Sequence, residues 1–272
     1  MNSKNIISKL VIILVFISAI YFSTFIWLYE RYISAESYYS HGFLIPFITI
    51  YLIWRKRKQL RNLNWQYSPW GLLLIVFALL LHWTGTVVGV FFLSGFSILF
   101  LVFGLSLYLF GKKVTHKIIF PLSFLFFMIP IPLVIINSIS FPMRMYVTKI
   151  SVFILKLFTD IPLKNEGFQL IFPKGTLIVE SLCSGLRSLM VMLALSSIFA
   201  YFLKASMFRR TVLFLLAFPI AIISNLTRVI LLCFVVFVYG SERAINIFHN
   251  LTGYLVFVIA FFGLWFCWKE LQ

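Results

Sequence analysis

Three polar clusters interrupt an otherwise apolar chain of 272 residues. In Glu180-Ser181-Leu182-Cys183-Ser184-Gly185-Leu186-Arg187-Ser188, a thiol sits at a predicted helix N-terminus and an arginine follows one turn below on the same face. A helix N-terminus and a guanidinium both favour thiolate over thiol, the form that attacks carbonyl carbon. Cys183 is therefore a candidate nucleophile. The competing reading is a small buried residue beside an interfacial arginine, because cysteine packs readily as a small hydrophobe. Cys233 and Cys267 lack polar neighbours and read as inert. The second cluster is Ser224-Asn225-Leu226-Thr227-Arg228. It places Arg228 roughly 15 Å from the outer end of an apolar run, where an arginine is expensive unless it faces protein or a wet cavity. Asn225 precedes it by three residues on the same face and is placed to hold the guanidinium. Alternatively, Arg228 ties helices together or snorkels to the surface. The third cluster is His249-Asn250, where the last apolar run begins. Histidine is the usual acid–base near neutral pH, although this one also reads as an interfacial residue. His116 in a basic loop, His82 at the end of a span and His41 at the start of another are weaker cases.

The elements that must position these residues are membrane helices. Hydrophobic residues make up 62% and charged residues 11%, against about 45–50% and about 25% in soluble domains. That excludes a soluble globule and predicts an all-α polytopic membrane protein. The net charge of +16 raises a nucleic-acid binder, but its distribution argues against one. Arg55-Lys56-Arg57-Lys58 with Arg61, then Lys112, Lys113 and Lys117, then Lys204, Arg209 and Arg210 mark three cytoplasmic loops. Six of the seven acids then face outward. No nucleic acid is expected as a partner; anionic membrane lipid is. Three cysteines without a C-x-x-C pattern offer neither a disulfide framework nor a zinc site, and Asp160 is the only aspartate. No cofactor or metal is expected.

Apolar runs lie near 10–28, 41–54, 70–88, 90–110, 118–137, 138–159, 184–203, 211–238 and 250–268. The first reads as a retained anchor rather than a cleaved signal. Nine crossings conflict with the basic loops, because an even number must separate Lys117 from Lys204. The run 138–159 carries Arg144, Lys149 and Lys156, the last two about 20° apart on a helix. It is expected to lie on the outer surface as an amphipathic helix; the alternative is a re-entrant 118–137 containing Pro121, Pro130 and Pro132. Either choice leaves eight spans with both termini inside. Phe168–Phe172 and Thr176–Glu180, flanking Pro173-Lys174-Gly175, predict a short outward β-hairpin. The whole chain, 1–272, is expected to be one integral membrane domain: supporting spans over about 10–137, the interfacial helix and hairpin over about 138–182, and site-bearing spans over about 183–268.

Taken together, Cys183, Arg228 and His249 resemble the Cys-His-Arg chemistry of sortase-like acyl transferases. The chain resembles the exosortase/archaeosortase family of membrane transpeptidases. The resemblance runs from Tyr39-Ser40-His41-Gly42-Phe43-Leu44-Ile45-Pro46 through Cys183-Ser184-Gly185-Leu186-Arg187-Ser188-Leu189 and Asn225-Leu226-Thr227-Arg228 to His249 and Gly253. It implies processing of exported envelope proteins that carry a C-terminal sorting signal: a Pro-Glu-Pro-type motif, a membrane helix and a basic tail. It further implies Cys183 as nucleophile, Arg228 as the essential arginine and His249 as the third catalytic residue. Ser184, Gly185, Arg187 and Asn225 would support them. Archaeal relatives carry arginine at the third place, so His249 points to the bacterial branch and to an inner membrane with the site facing outward. Asn250 stands where an acidic neighbour is frequent.

Two other classes stay open on sequence: a transporter or lipid-linked glycan translocator, and a non-catalytic scaffold for exopolysaccharide export. The confident spans hold no carboxylate, which proton and cation carriers commonly use.

Overall fold

The computed structural model describes residues 3–34, 37–179, 184–243 and 248–272, with side chains from residue 12 onward except at 243, 249 and 250. Its contacts divide the chain into two units, 1–131 and 132–272.

In the first unit, α1 (Ser3–Ile20) and α2 (Phe22–Ile33) meet at a 70° bend. The expected first span, 10–28, is therefore a broken helix. A buried polar cluster holds the break. His82 Nε2 reaches the carbonyl of Ile20 at 3.1 Å, and its Nδ1 lies 2.6 Å from Ser94 Oγ. Thr24 Oγ1 lies 2.5 Å from the same Ser94 oxygen, while Tyr21 OH lies 2.8 Å from Ser97 Oγ. A carbonyl only accepts, so in a neutral imidazole Nε2 carries the proton and Ser94 donates to Nδ1. Thr24 must then donate to Ser94. Ser97 donates to the Ser94 carbonyl at 2.7 Å, so Tyr21 donates to Ser97. Each side-chain polar atom of this five-residue cluster (Tyr21, Thr24, His82, Ser94 and Ser97) has a partner of the right kind, the condition for burying such groups.

A 3-10 turn, Ser40–Phe43, leads into α3 (Leu44–Arg55) and α4 (Arg57–Arg61). Gly42 in that turn lies against the Tyr32 ring with no room for a side chain, and Tyr32 OH donates to the Met128 carbonyl at 2.6 Å. α5 (Trp70–Val87) and α6 (Phe91–Lys117) realise the expected 70–88 and 90–110 spans, with α6 running past a break at Gly111 (φ 81°, ψ 177°). They approach backbone to backbone: a Cβ at Gly104 would stand 3.0 Å from the Gly71 carbonyl oxygen. α7 (Ile119–Phe124) and a 3-10 turn, Leu125–Met128, end the unit.

The expected span 118–137 is not one helix. Ile129 adopts an extended backbone (φ −88°, ψ 115°) and Pro132 follows at φ −53°, ψ 139°. Proline disfavours the helical region for the residue before it and lacks an N–H to donate. Ile129 and Ile131 both precede proline, so the helix stops and restarts.

The second unit opens with α8 (Leu133–Phe158), which starts five residues before the expected amphipathic segment 138–159. Its buried residues Ile136, Ser140, Val147, Ser151 and Leu155 follow helical spacing, while Lys149 and Lys156 share the exposed face. The expected hairpin is present as β2 (Gln169–Phe172) and β3 (Gly175–Ile178), preceded by an unexpected β1 (Lys164–Glu166). All pairings are antiparallel, with Phe172 opposite Gly175 across Pro173-Lys174. Alternate residues Leu170, Phe172, Leu177 and Val179 bury against Val147, Val152 and Leu155 of α8.

The rest of the unit is α9 (Leu186–Phe202), α10 (Met207–Tyr239), the short α11 (Ser241–Arg243) and α12 (His249–Glu270). Val229, Leu232, Cys233 and Val236 of α10 complete the core under the sheet.

Four helices among the described residues are long and apolar enough to cross a membrane: Trp70–Val87, Phe91–Lys117, Met207–Tyr239 and Leu251–Glu270. Six result if α1 with α2, and Ile119–Met128 with α8, each count as one broken span. The other two of the eight expected crossings fall on α3 and α9, of 12 and 17 residues, shorter than the roughly 20 that an upright span needs.

Candidate active site

Gly185 opens the site. It caps α9 at φ 86°, ψ −2°, a left-handed conformation that costs other residues a Cβ clash. It is also pressed against α10, since a Cβ there would stand 2.9 Å from both Cβ and Cγ of Asn225. Only glycine satisfies both conditions. The Gly185 carbonyl accepts from Ser188 Oγ at 2.8 Å and from Leu189 N–H at 2.9 Å. Buried Ser184 accepts from the Leu186 N–H at 3.3 Å. Cys183, with Glu180, Ser181 and Leu182, lies outside the described residues, immediately before this tightly packed start.

Asn225 is 1% exposed, and its contact with Gly185 assigns it a place that spacing alone did not reveal. Arg228, one turn further along α10, is half-buried. Its Nη2 lies 3.8 Å from the point a Cβ on Gly253 would occupy. His249 stands one turn before Gly253 on α12, and residues four apart share a helix face. The His249 and Asn250 side chains lie outside the described residues. α10 thus joins the two other site elements, turning Asn225 to the start of α9 and Arg228 to the first turns of α12. Arg187 is half-buried in the first turn of α9.

The α12 end of this arrangement is pinned. Phe248 stacks on Tyr239 with ring centroids 6.2 Å apart, and Thr252 Oγ1 donates to the Phe248 carbonyl at 2.7 Å. The sheet bears on the same connection: Lys174 Nζ donates to the Val238 carbonyl at 2.8 Å, near the end of α10. A cation there opposes the negative pole of the helix dipole. A Cβ at Gly175 would stand 2.6 Å from Ser241 Oγ, so the hairpin tip packs directly on the segment leading toward His249. At the end of the hairpin opposite its Pro173-Lys174 turn, Arg144 of α8 places its guanidinium 4.4 Å from the Phe168 ring centroid. The sequence shows Arg144 only as one of three cations in the run 138–159; the aromatic Phe168 that opens the hairpin is the signal for this cation–π partner. Cys233 is fully buried in the apolar core, and Cys267 is partly exposed.

These features define a polytopic helical membrane protein whose motif-bearing helices α9, α10 and α12 pack on one another. The sequence model of the transmembrane exosortases matches residues 32–266. The chain belongs to that family, whose members are in general cysteine transpeptidases. No curated protein and no solved structure matches it.

Proposed function

We propose that the protein is a membrane-embedded cysteine transpeptidase that cleaves C-terminal sorting signals from exported envelope proteins. The observation that carries this reading is the paired contact of α10: Asn225 on Gly185, two residues after Cys183, and Arg228 beside Gly253, one turn after His249. Convergence of these three motifs is what a Cys-His-Arg site requires.

In this mechanism the Cys183 thiolate attacks the scissile carbonyl, and the carbonyl oxygen becomes an oxyanion held by the Arg228 guanidinium. Preorganised charge of that kind contributes a few kcal/mol in a water-poor site. Collapse of the adduct expels the amine, which takes a proton from His249, and leaves a thioester on Cys183. An acceptor nucleophile, deprotonated by the now neutral His249, then attacks the thioester, releasing the product and regenerating the Cys183 thiolate and protonated His249. Arg187 shares the charge stabilisation or anchors the Cys183 segment. The substrate carries its own membrane helix and basic tail and enters sideways from the bilayer, with the hairpin roofing the site on the outer face of the bacterial inner membrane. Co-expression with an exported protein bearing such a signal tests the reading. Processing by the parent chain and none by Cys183→Ala is expected, and equal processing by both would refute it.

A further inference from the structure

The basic loops hold a second site that the proposed chemistry does not use. The loop between α4 and α5 folds onto the break in α6: the Gln66 carbonyl presses on Gly111 where no side chain would fit. Trp65 secures the loop by donating from Nε1 to the Leu60 carbonyl at 3.1 Å and meeting Phe110 edge-on, with centroids 5.1 Å apart. The result is a cavity of about 400 Å³ lined by Lys112 and Lys113, by the donors Asn64, Gln66, Tyr67 and Ser68, and by Trp70 and Phe110. That volume falls within the range of small-ligand sites.

The chemistry of the lining selects an anion. None of the ten lining residues is acidic, and the one ion pair among the described residues, Lys164–Glu166, lies in the other unit. Two lysines therefore line the cavity with no acidic residue beside them in its wall. A second feature selects a lipid over a free anion. Trp70 opens α5, and the exposed residues Trp70, Leu73, Phe77 and Leu80 continue from the cavity along one face of that helix. Trp65, Tyr67 and Trp70, all exposed, are the aromatic types that sit at headgroup level.

We infer that this cavity binds the phosphate headgroup of an anionic phospholipid, with an acyl chain lying along Trp70, Leu73, Phe77 and Leu80. Basic pockets at the membrane surface recognise such headgroups through combined charge and hydrogen bonding. The inference is independent of the proposed transpeptidase activity.

The test uses the full chain in nanodiscs of equal parts phosphatidylglycerol and phosphatidylethanolamine, with retained lipid read by native mass spectrometry. The parent chain should keep one phosphatidylglycerol in preference to phosphatidylethanolamine. The exposed pair K112Q/K113Q should lose that retention by about thirtyfold, the effect of two lysines near an anionic surface. K112R/K113R should preserve it, as should K204Q/R210Q, which removes equal charge from a different basic loop. Retention should survive excess inorganic phosphate. Equal retention of both lipids, an unchanged K112Q/K113Q, a matching loss in K204Q/R210Q, or displacement by inorganic phosphate would each overturn the inference.

Discussion

Two glycines mark the contacts of α10 with α9 and α12 in the proposed site, one loose and one tight, and each yields a substitution test. Gly253 leaves 3.8 Å between a prospective Cβ and Arg228 Nη2, an ordinary van der Waals contact. Gly253→Ala should therefore process substrate nearly as well as the parent. Gly253→Leu should push the guanidinium away and lose about tenfold to a hundredfold, read as the initial rate of signal cleavage. Gly185 offers no such tolerance. Its left-handed backbone and its contact with Asn225 predict that Gly185→Ala costs about 1–2 kcal/mol from conformation alone, with the Asn225 clash added. A lowered unfolding temperature of the solubilised protein together with weak processing would register both. Arg228→Lys keeps the charge but not the planar fork, so processing should fall at least tenfold at unchanged expression. Parent-like rates for Arg228→Lys would remove the bidentate role.

At the scale of elements, the polar cluster around His82 invites a stability measurement. His82→Leu removes the side-chain donor to the Ile20 carbonyl and the acceptor of the Ser94 proton, and a buried orphan group costs about 1–3 kcal/mol. Thermal unfolding should shift down by several degrees, whereas an unchanged transition would mean that the α1–α2 break is held by packing alone. This cluster also shows where sequence reading stops. His82 looks like an ordinary residue ending a span, because its partners Tyr21, Thr24 and Ser94 are distant in sequence. Hydropathy sees an unbroken apolar run over 10–28 and is blind to the bend. The break after Met128 was visible in Pro130 and Pro132, yet the continuing apolar character argued for a span. The hairpin was legible from its alternation and its Pro-Lys-Gly turn. β1 was not, since Lys164-Asn165-Glu166 is exposed throughout and becomes a strand only by pairing with β2. Within the candidate site, the motifs offered residues but not their neighbours: Asn225, read as a partner for Arg228, packs on Gly185.

At the scale of the whole molecule, the positive loops dictate one topology and the proposed site one chemistry. Reporters fused at Lys58 and Lys113 should register in the cytoplasm, and those at Lys174 and Glu242 outside; a cytoplasmic Lys174 would put the hairpin and the proposed site on the wrong side. That chemistry is covalent catalysis. Its most direct measurement is to quench the parent chain during turnover of a sorting-signal substrate and analyse the peptide containing Cys183 by mass spectrometry. A thioester adduct on Cys183, released by hydroxylamine and missing from the correctly inserted, inactive Cys183→Ala chain, is the predicted result. Undiminished cleavage by Cys183→Ala, with no adduct in the parent chain, would contradict it.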